Sequence, residues 1–384
     1  MSAPARLDEL LVELLVEWHV AGSEHDRLSR VEPAFVQGEG RDRLRAEQSS
    51  IRACIRAGVM NDVAILAWGL ATVADGDSQA QAAALIEGRP HYQRHPRWVG
   101  RDGQRQLMCW APGLRDHVDF ASRVALLAQR AWAACRADQL KQGMQPVRAE
   151  LILALPLVLG FYPGMRDNFA AAAGRLKFDG MVSVQLIFGE HAVGFAAIER
   201  AEKTLSQNGT HHIYVAAADT LVAPMILDLL ATQGGLRDRH NPWNPVPSEA
   251  AVCMLVTAGE PCSDRRPRVT AHASRIEDFP GETDCQTTPG GALLEAARDS
   301  LAQADGYARI VSDASGGRWR AEELGRVISG LAPRAANVPV LTAAQAVGDV
   351  GAASALLSII AAISAGPGAS LILASERSGS RRTA

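Results

Sequence analysis

His191-Ala192-Val193-Gly194-Phe195-Ala196-Ala197-Ile198-Glu199-Arg200-Ala201 is followed, after a polar break at Asn208-Gly209, by Ile213-Tyr214-Val215-Ala216-Ala217-Ala218-Asp219-Thr220. The first stretch predicts a helix over 191–205, and the second an apolar strand short enough to be buried on both faces. A helix feeding a buried strand is the unit of an α/β protein. Working outward, apolar runs at 63–67, 151–155, 182–187, 251–256, 310–312 and 370–374 read as further strands. Helical patterns at 80–86, 117–139, 292–303, 320–331 and 350–365 fall between several of them. This alternation predicts largely parallel sheets. The Pro-, Gly- and Asp-rich stretch from Gly234 to Ser248 reads as a loop between two halves.

With 384 residues, 47% hydrophobic and 21% charged, the chain can bury a core of one large or two fused domains. A formal net charge of -3 and a pI near 6.4 give no electrostatic reason to expect nucleic acid as a partner. No run approaches the ~20 apolar residues of a spanning helix, and no secretory leader opens the chain, so a cytoplasmic protein is expected. The six cysteines, at 54, 109, 135, 253, 262 and 285, form no CxxC pair. They suit reduced thiols rather than a zinc site. His211-His212 reads as a solvated turn, while His91 and His95 have no carboxylate at ligand spacing. Gly316-Gly317 lacks the lysine of a phosphate loop and a dinucleotide fingerprint. Neither a metal nor a cofactor is expected. Residues 7–18 place Leu7, Leu10, Leu11, Leu14, Leu15 and Trp18 on one helical face, and an Arg-rich polar stretch follows to 56. The character changes at Met60, itself a possible start, so residues 1–59 are expected to be an appended helical segment or an over-extended gene start. They precede an N-terminal half at 60–245 and a C-terminal half at 246–384.

Five segments in order resemble the β-ketoacyl synthase branch of the thiolase superfamily. Val63–Thr72 is similar to the first strand and glycine turn of a synthase, His191–Ala201 to its nucleophile helix, and Ile213–Thr220 to the strand before a "GGVDS"-like turn. Pro247-Ser248-Glu249-Ala250-Ala251 resembles the "PGEAA" entry to the second half, and Gly348-Asp349-Val350-Gly351-Ala352-Ala353-Ser354 the "GHxxGAAG" turn. The resemblance covers roughly residues 62–378. It implies a thiolase-like fold of two pseudo-symmetric αβ halves layered α/β/α/β/α, with the N-terminal helical segment added.

Such a synthase holds a cysteine at the start of a buried helix, where the helix dipole favours the thiolate and N–H groups hold an oxyanion. The resemblance puts His191 at that position. Its two assisting histidines fall at Asp313, within Ile310–Gly316, and at Gly348 or Asp349. The "GFGG" segment is replaced by Ala374–Ser380, after which no clear final strand is read. The resemblance therefore implies a protein of fatty-acid or polyketide-type acyl metabolism that does not condense acyl groups by itself. Implied partners are an acyl carrier protein or acyl-CoA thioesters, and a homodimer or a heterodimer with an active synthase, paired through the strand near 182–187. A second reading makes His191 the nucleophile of an acyltransferase or thioesterase, oriented by Asp313 with Ser312 or Ser315 nearby. In its bland counterpart, His191 fills the cysteine's space and hydrogen-bonds Asp313 in a closed pocket. A third reading is a scaffold that docks through the helix at 7–18.

Overall fold

β1 (Val63–Ala71) is buried along its whole length, as an unbroken apolar strand covered on both faces must be. The computed structural model describes residues 62–114, 119–176, 178, 180–207, 211–259, 266–275, 290–303, 306–332, 334–335, 337–376 and 382–383. The expected appendage 1–59, with its amphipathic helix, lies outside the described residues. After β1 come α1 (Ser78–Glu87), whose N-cap Asp77 accepts from Ala80 N at 3.1 Å, and a hairpin of β2 (Gln93–Val99) and β3 (Arg105–Met108). The chain continues through α2 (Phe120–Lys141), β4 (Ala149–Pro156), α3 (Leu157–Phe161), α4 (Pro163–Gly174) and β5 (Met181–Gly189). Next are α5 (Val193–Gln207), β6 (Ile213–Thr220), α6 (Pro224–Thr232) and β7 (Glu249–Ala258). Two short strands, β8 (Arg268–Val269) and β9 (Ser274–Arg275), lead to α7 (Gly291–Leu301), β10 (Arg309–Ser312), α8 (Arg318–Gly330) and β11 (Val340–Thr342). The chain closes with α9 (Ala344–Val347), a 3-10 turn (Gly351–Ala353), α10 (Ser354–Ser364), β12 (Ser370–Ser375) and β13 (Arg382–Thr383).

The strands form two main sheets whose order repeats. The first runs β5-β4-β6-β7-β1-β8, and the second β11-β10-β12-β13-β9. Leaving out the edge strand β8 and the separate hairpin, each sheet reads third, second, fourth, fifth, first in its own chain order. In both, the second strand pairs parallel with the third and fourth, and the fifth runs antiparallel between the fourth and first. Pseudo-symmetry is thus written in the pairing. Two expectations change. β7 and β8 belong to the first sheet, so the connection between the sheets comes after residue 269 and the loop 234–248 lies within the first half; an apolar run does not reveal which sheet it joins. A final strand exists as well, since Arg382 and Thr383 pair with β12 and β9, although two residues carry no periodicity.

Five layers result. α2 and α4 cover one face of the first sheet, packing Trp132, Cys135 and Phe169 against Tyr214 and Leu151. Gly69 allows this closeness, because a Cβ there would collide with the α2 backbone at Ala131 and Cys135. α5 and α10 fill the space between the sheets, where Ile198 and Leu356 share a core with Val215 of the first sheet and Val311 of the second. Nine of the eleven α10 residues are buried, as expected of a helix that is apolar nearly all round. α7 and α8 cover the far face of the second sheet through Leu293, Ala297 and Val327. The central layer brings the N-terminal ends of α5 and of the 3-10 turn before α10 to one place, and the site lies there.

Candidate functional site

His191 stands in the short turn between the end of β5 at Gly189 and the start of α5 at Val193, and is 7% exposed. Its carbonyl accepts from Ala355 N at 3.2 Å, joining the starts of α5 and α10. Its Nε2 donates to Asp349 Oδ1 at 2.7 Å. Asp349 also accepts from Gly351 N at Oδ1 and from the Ser315 hydroxyl at Oδ2, each at 3.0 Å. Burial works against charge on both partners. It is outweighed at His191 by the Asp349 carboxylate, which raises the imidazole above its usual range. At Asp349 burial is overcome by His191, Arg320 and the Gly351 N–H, which hold the carboxyl well below the usual range. Both shifts favour an imidazolium beside a carboxylate. Nδ1 of His191 is buried and has no hydrogen-bond partner among the described residues.

Asp313, at the end of β10, does not orient His191. Its Oδ2 lies 2.8 Å from Arg320 Nη1 and accepts from Ser375 N at 3.0 Å. Arg320 Nη2 donates in turn to the Ser375 carbonyl at 3.0 Å, and the Ser375 hydroxyl donates to Glu323. Sequence reasoning missed this because Arg320 opens an amphipathic helix and reads as a surface residue, whereas it is buried and takes the carboxylate. The turn that begins at Gly348 delivers Asp349 to His191 instead. Its backbone requires glycine twice, with φ of +78° at Gly348 and +51° at Gly351. Ser312 is buried and accepts from Ala314 N at 3.1 Å, away from the imidazole, so of the two expected serines Ser315 alone joins the His191–Asp349 network.

Behind this pair lies Asp219, to which the sequence assigned no role. Its carboxylate accepts from Ala352 N at 2.8 Å and Thr220 N at 2.7 Å, and burial pushes its acid up to about 7. The described cysteines, Cys109, Cys135 and Cys253, are all buried and free. Cys109 faces Ser248 and the Gly348 turn, but burial pushes its thiol up to about 12. A thiol so weakly acidic supplies no thiolate near neutral pH. Among the described residues no group of three His, Cys, Asp or Glu side chains is placed to hold a metal ion, and no helix is long and apolar enough to cross a membrane.

The architecture also matches solved structures. An ishigamide ketosynthase/chain length factor superposes with a TM-score of 0.60 at 20% identity, covering 84% of this chain and 98% of that one. It has the thiolase-like fold of the β-ketoacyl synthases. A ketosynthase bound to a hexaketide, in complex with its type II polyketide acyl-carrier protein, gives a TM-score of 0.66 at 13% identity, over 84% of this chain and 98% of that one. A β-ketoacyl synthase from Burkholderia phymatum STM815 gives 0.59 at 16%, with the same coverages. No protein-family model and no curated protein sequence matches the chain. In this synthase-like fold His191 occupies the turn that opens α5, Asp313 the end of β10 and Asp349 the turn before α10; His191 and Asp349 meet, while Asp313 is held by Arg320.

Proposed function

We propose that the protein is a β-ketoacyl-synthase-like subunit of fatty-acid or polyketide-type metabolism that does not condense acyl groups itself and works beside an active synthase. The observation that carries this is the His191–Asp349 ion pair, which fills the nucleophile turn with a buried imidazolium already committed to a carboxylate. β5 supports the pairing. It is the outer strand of the first sheet, Val182 on it is 48% exposed, and α3 beside it ends in the exposed Phe161 and Tyr162. An apolar, unpaired edge of this kind is suited to extension by another chain. The hairpin of β2 and β3 adds Arg94, Arg97, Arg101 and Arg105, a positive surface for an acidic carrier protein that presents the acyl group.

Mass spectrometry of the protein mixed with acyl and malonyl thioesters, beside His191→Ala, tests the first half of this proposal by scoring acylation, hydrolysis and decarboxylation together. No adduct and no turnover are expected. Co-expression with a cysteine-bearing synthase tests the second half, with a stable complex expected that Val182→Asp weakens. The orphan Nδ1 favours one competing reading, an acyltransferase or thioesterase in which a rearranged His191 attacks the thioester. Turnover that vanishes in His191→Ala would establish that reading and overturn the first.

A further inference from the structure

A cavity of about 830 Å³ lies between the halves, away from the His191 turn. Its buried wall is formed by Ile65 of β1, Phe195 of α5, Ile359 of α10 and Leu371 of β12. Its open side is formed by Arg268, the exposed Thr270 and Tyr307. The cavity follows α10 to its far end at Ile363 and Gly366, whereas His191 bonds the start of that helix at Ala355. Eleven residues at ~1.5 Å each place Gly366 about 16 Å along from Ala355. The size falls within the range of about 300–1,000 Å³ typical of small-molecule sites.

Two polar side chains of this cavity, Arg268 and Tyr307, keep donor capacity to spare. Arg268 uses one of its five N–H donors on Asp62, at 3.4 Å, and the others have no partner among the described residues. The Tyr307 hydroxyl is buried and likewise has no hydrogen-bond partner among them. Glycines at 306, 366 and 368, all at positive φ, keep the rim low, and a Cβ at Gly306 or Gly366 would meet nothing within 4 Å. An apolar end joined to a rim with a cation and a spare hydroxyl donor is complementary to a single-chain amphiphile carrying one carboxylate. We infer that this cavity binds a free long-chain carboxylate, with its alkyl chain among Ile65, Phe195, Ile359 and Leu371 and its head on Arg268 and Tyr307. The site stands independently of any chemistry at His191.

Titration calorimetry of the full chain with dodecanoate, below its micelle concentration, tests the inference. Saturable one-to-one binding is expected. Because a hydrogen bond to a charged group contributes about 1.5–3 kcal/mol, methyl dodecanoate, or Arg268→Gln with dodecanoate, should bind roughly ten- to a hundredfold more weakly. Ile363→Trp and Thr270→Trp, which fill the cavity and its rim, should abolish binding. Thr270 is exposed, so its variant decides the matter if Ile363→Trp does not fold. No saturable binding by the native chain, equal affinity for the methyl ester, or full affinity in Thr270→Trp would overturn the assignment.

Discussion

Asp349→Asn removes one charge from the buried His191–Asp349 pair while keeping the shape of the side chain. The two groups lie 2.7 Å apart with side chains 9% and 8% exposed. At an effective dielectric near 20, opposite charges ~4 Å apart attract by about 4 kcal/mol, and breaking a buried pair by removing one partner typically costs about 3–5 kcal/mol. Losing the carboxylate charge also removes the influence that raises His191, so burial and the nearby Arg320 return the imidazole to its neutral form. The cost depends on pH in a fixed direction. His191 is raised on folding, so its contribution is complete below its unfolded value near 6.5 and is lost as pH rises through its folded value. Asp349 is lowered on folding, so its contribution is present above its unfolded value near 3.8 and is lost as pH falls through its folded value. Urea unfolding of wild type and Asp349→Asn at pH 5.5 should therefore differ by about 3–5 kcal/mol, and by less at high pH once His191 has deprotonated. Nitrogen NMR of the histidines should show His191 as imidazolium in wild type at pH 6.5 and as neutral imidazole in the variant. A difference below ~1 kcal/mol at pH 5.5, or a neutral His191 in wild type at that pH, would refute the ion pair.

Three further outcomes follow from the neighbouring residues. Asp219 is pushed up to about 7 from 3.8, so it keeps a proton in the folded chain that the unfolded chain has released; stability should fall with pH between about 4 and 7, and Asp219→Asn should remove up to ~1.4 kcal/mol per pH unit from that slope in denaturant titrations. Glu249 holds Arg123 in a buried pair through two oxygens, at 2.7 and 3.0 Å, and takes Thr220 Oγ1 at 2.8 Å, so Glu249→Ala should cost about 3–5 kcal/mol in urea unfolding, or leave no folded chain. Cys109 should resist iodoacetamide at pH 8 in the native protein and react in denaturant, with mass spectrometry locating the label.

The sequence revealed those parts of the fold whose burial is symmetric. β1, β4, β6 and β7 are buried on both faces and read as plain apolar runs, and α5 and α10 as the apolar helices beside them. The hairpin of β2 and β3 did not read as strands, because Gln93–Val99 alternates arginine with proline and histidine and only His95 on it is buried. There His95 has a structural role, its Nδ1 accepting from Arg97 N at 3.0 Å and Trp98 N at 2.7 Å. β8, β9 and β13 are two residues each, too short for any period, and their place comes from pairing alone. At the site, His191 was legible from the order of segments, but its partner was not. Asp313 and Asp349 are both carboxylates following a buried stretch, and the choice between them is made by Arg320, whose burial leaves no mark in sequence.

That choice also accounts for the electrostatics of the site. Two helical starts point into it, α5 just after His191 and the 3-10 turn that leads into α10. Helix N-termini carry partial positive charge and free N–H groups, which favour an anion between them. In a synthase the anion is the cysteine thiolate or the oxyanion of the reacting thioester. Here Asp349 already supplies it by taking the Gly351 N–H, while the Ala352 N–H is taken by Asp219. An imidazolium at 191 would be unfavourable beside a helix N-terminus alone, but it becomes favourable once Asp349 is ionised beside it. Replacing the histidine by cysteine would not restore a nucleophile, since the new thiol would face the buried Asp349 carboxylate, which opposes ionisation to the thiolate. On the proposed reading, condensing chemistry would require Asp349 to be replaced together with His191.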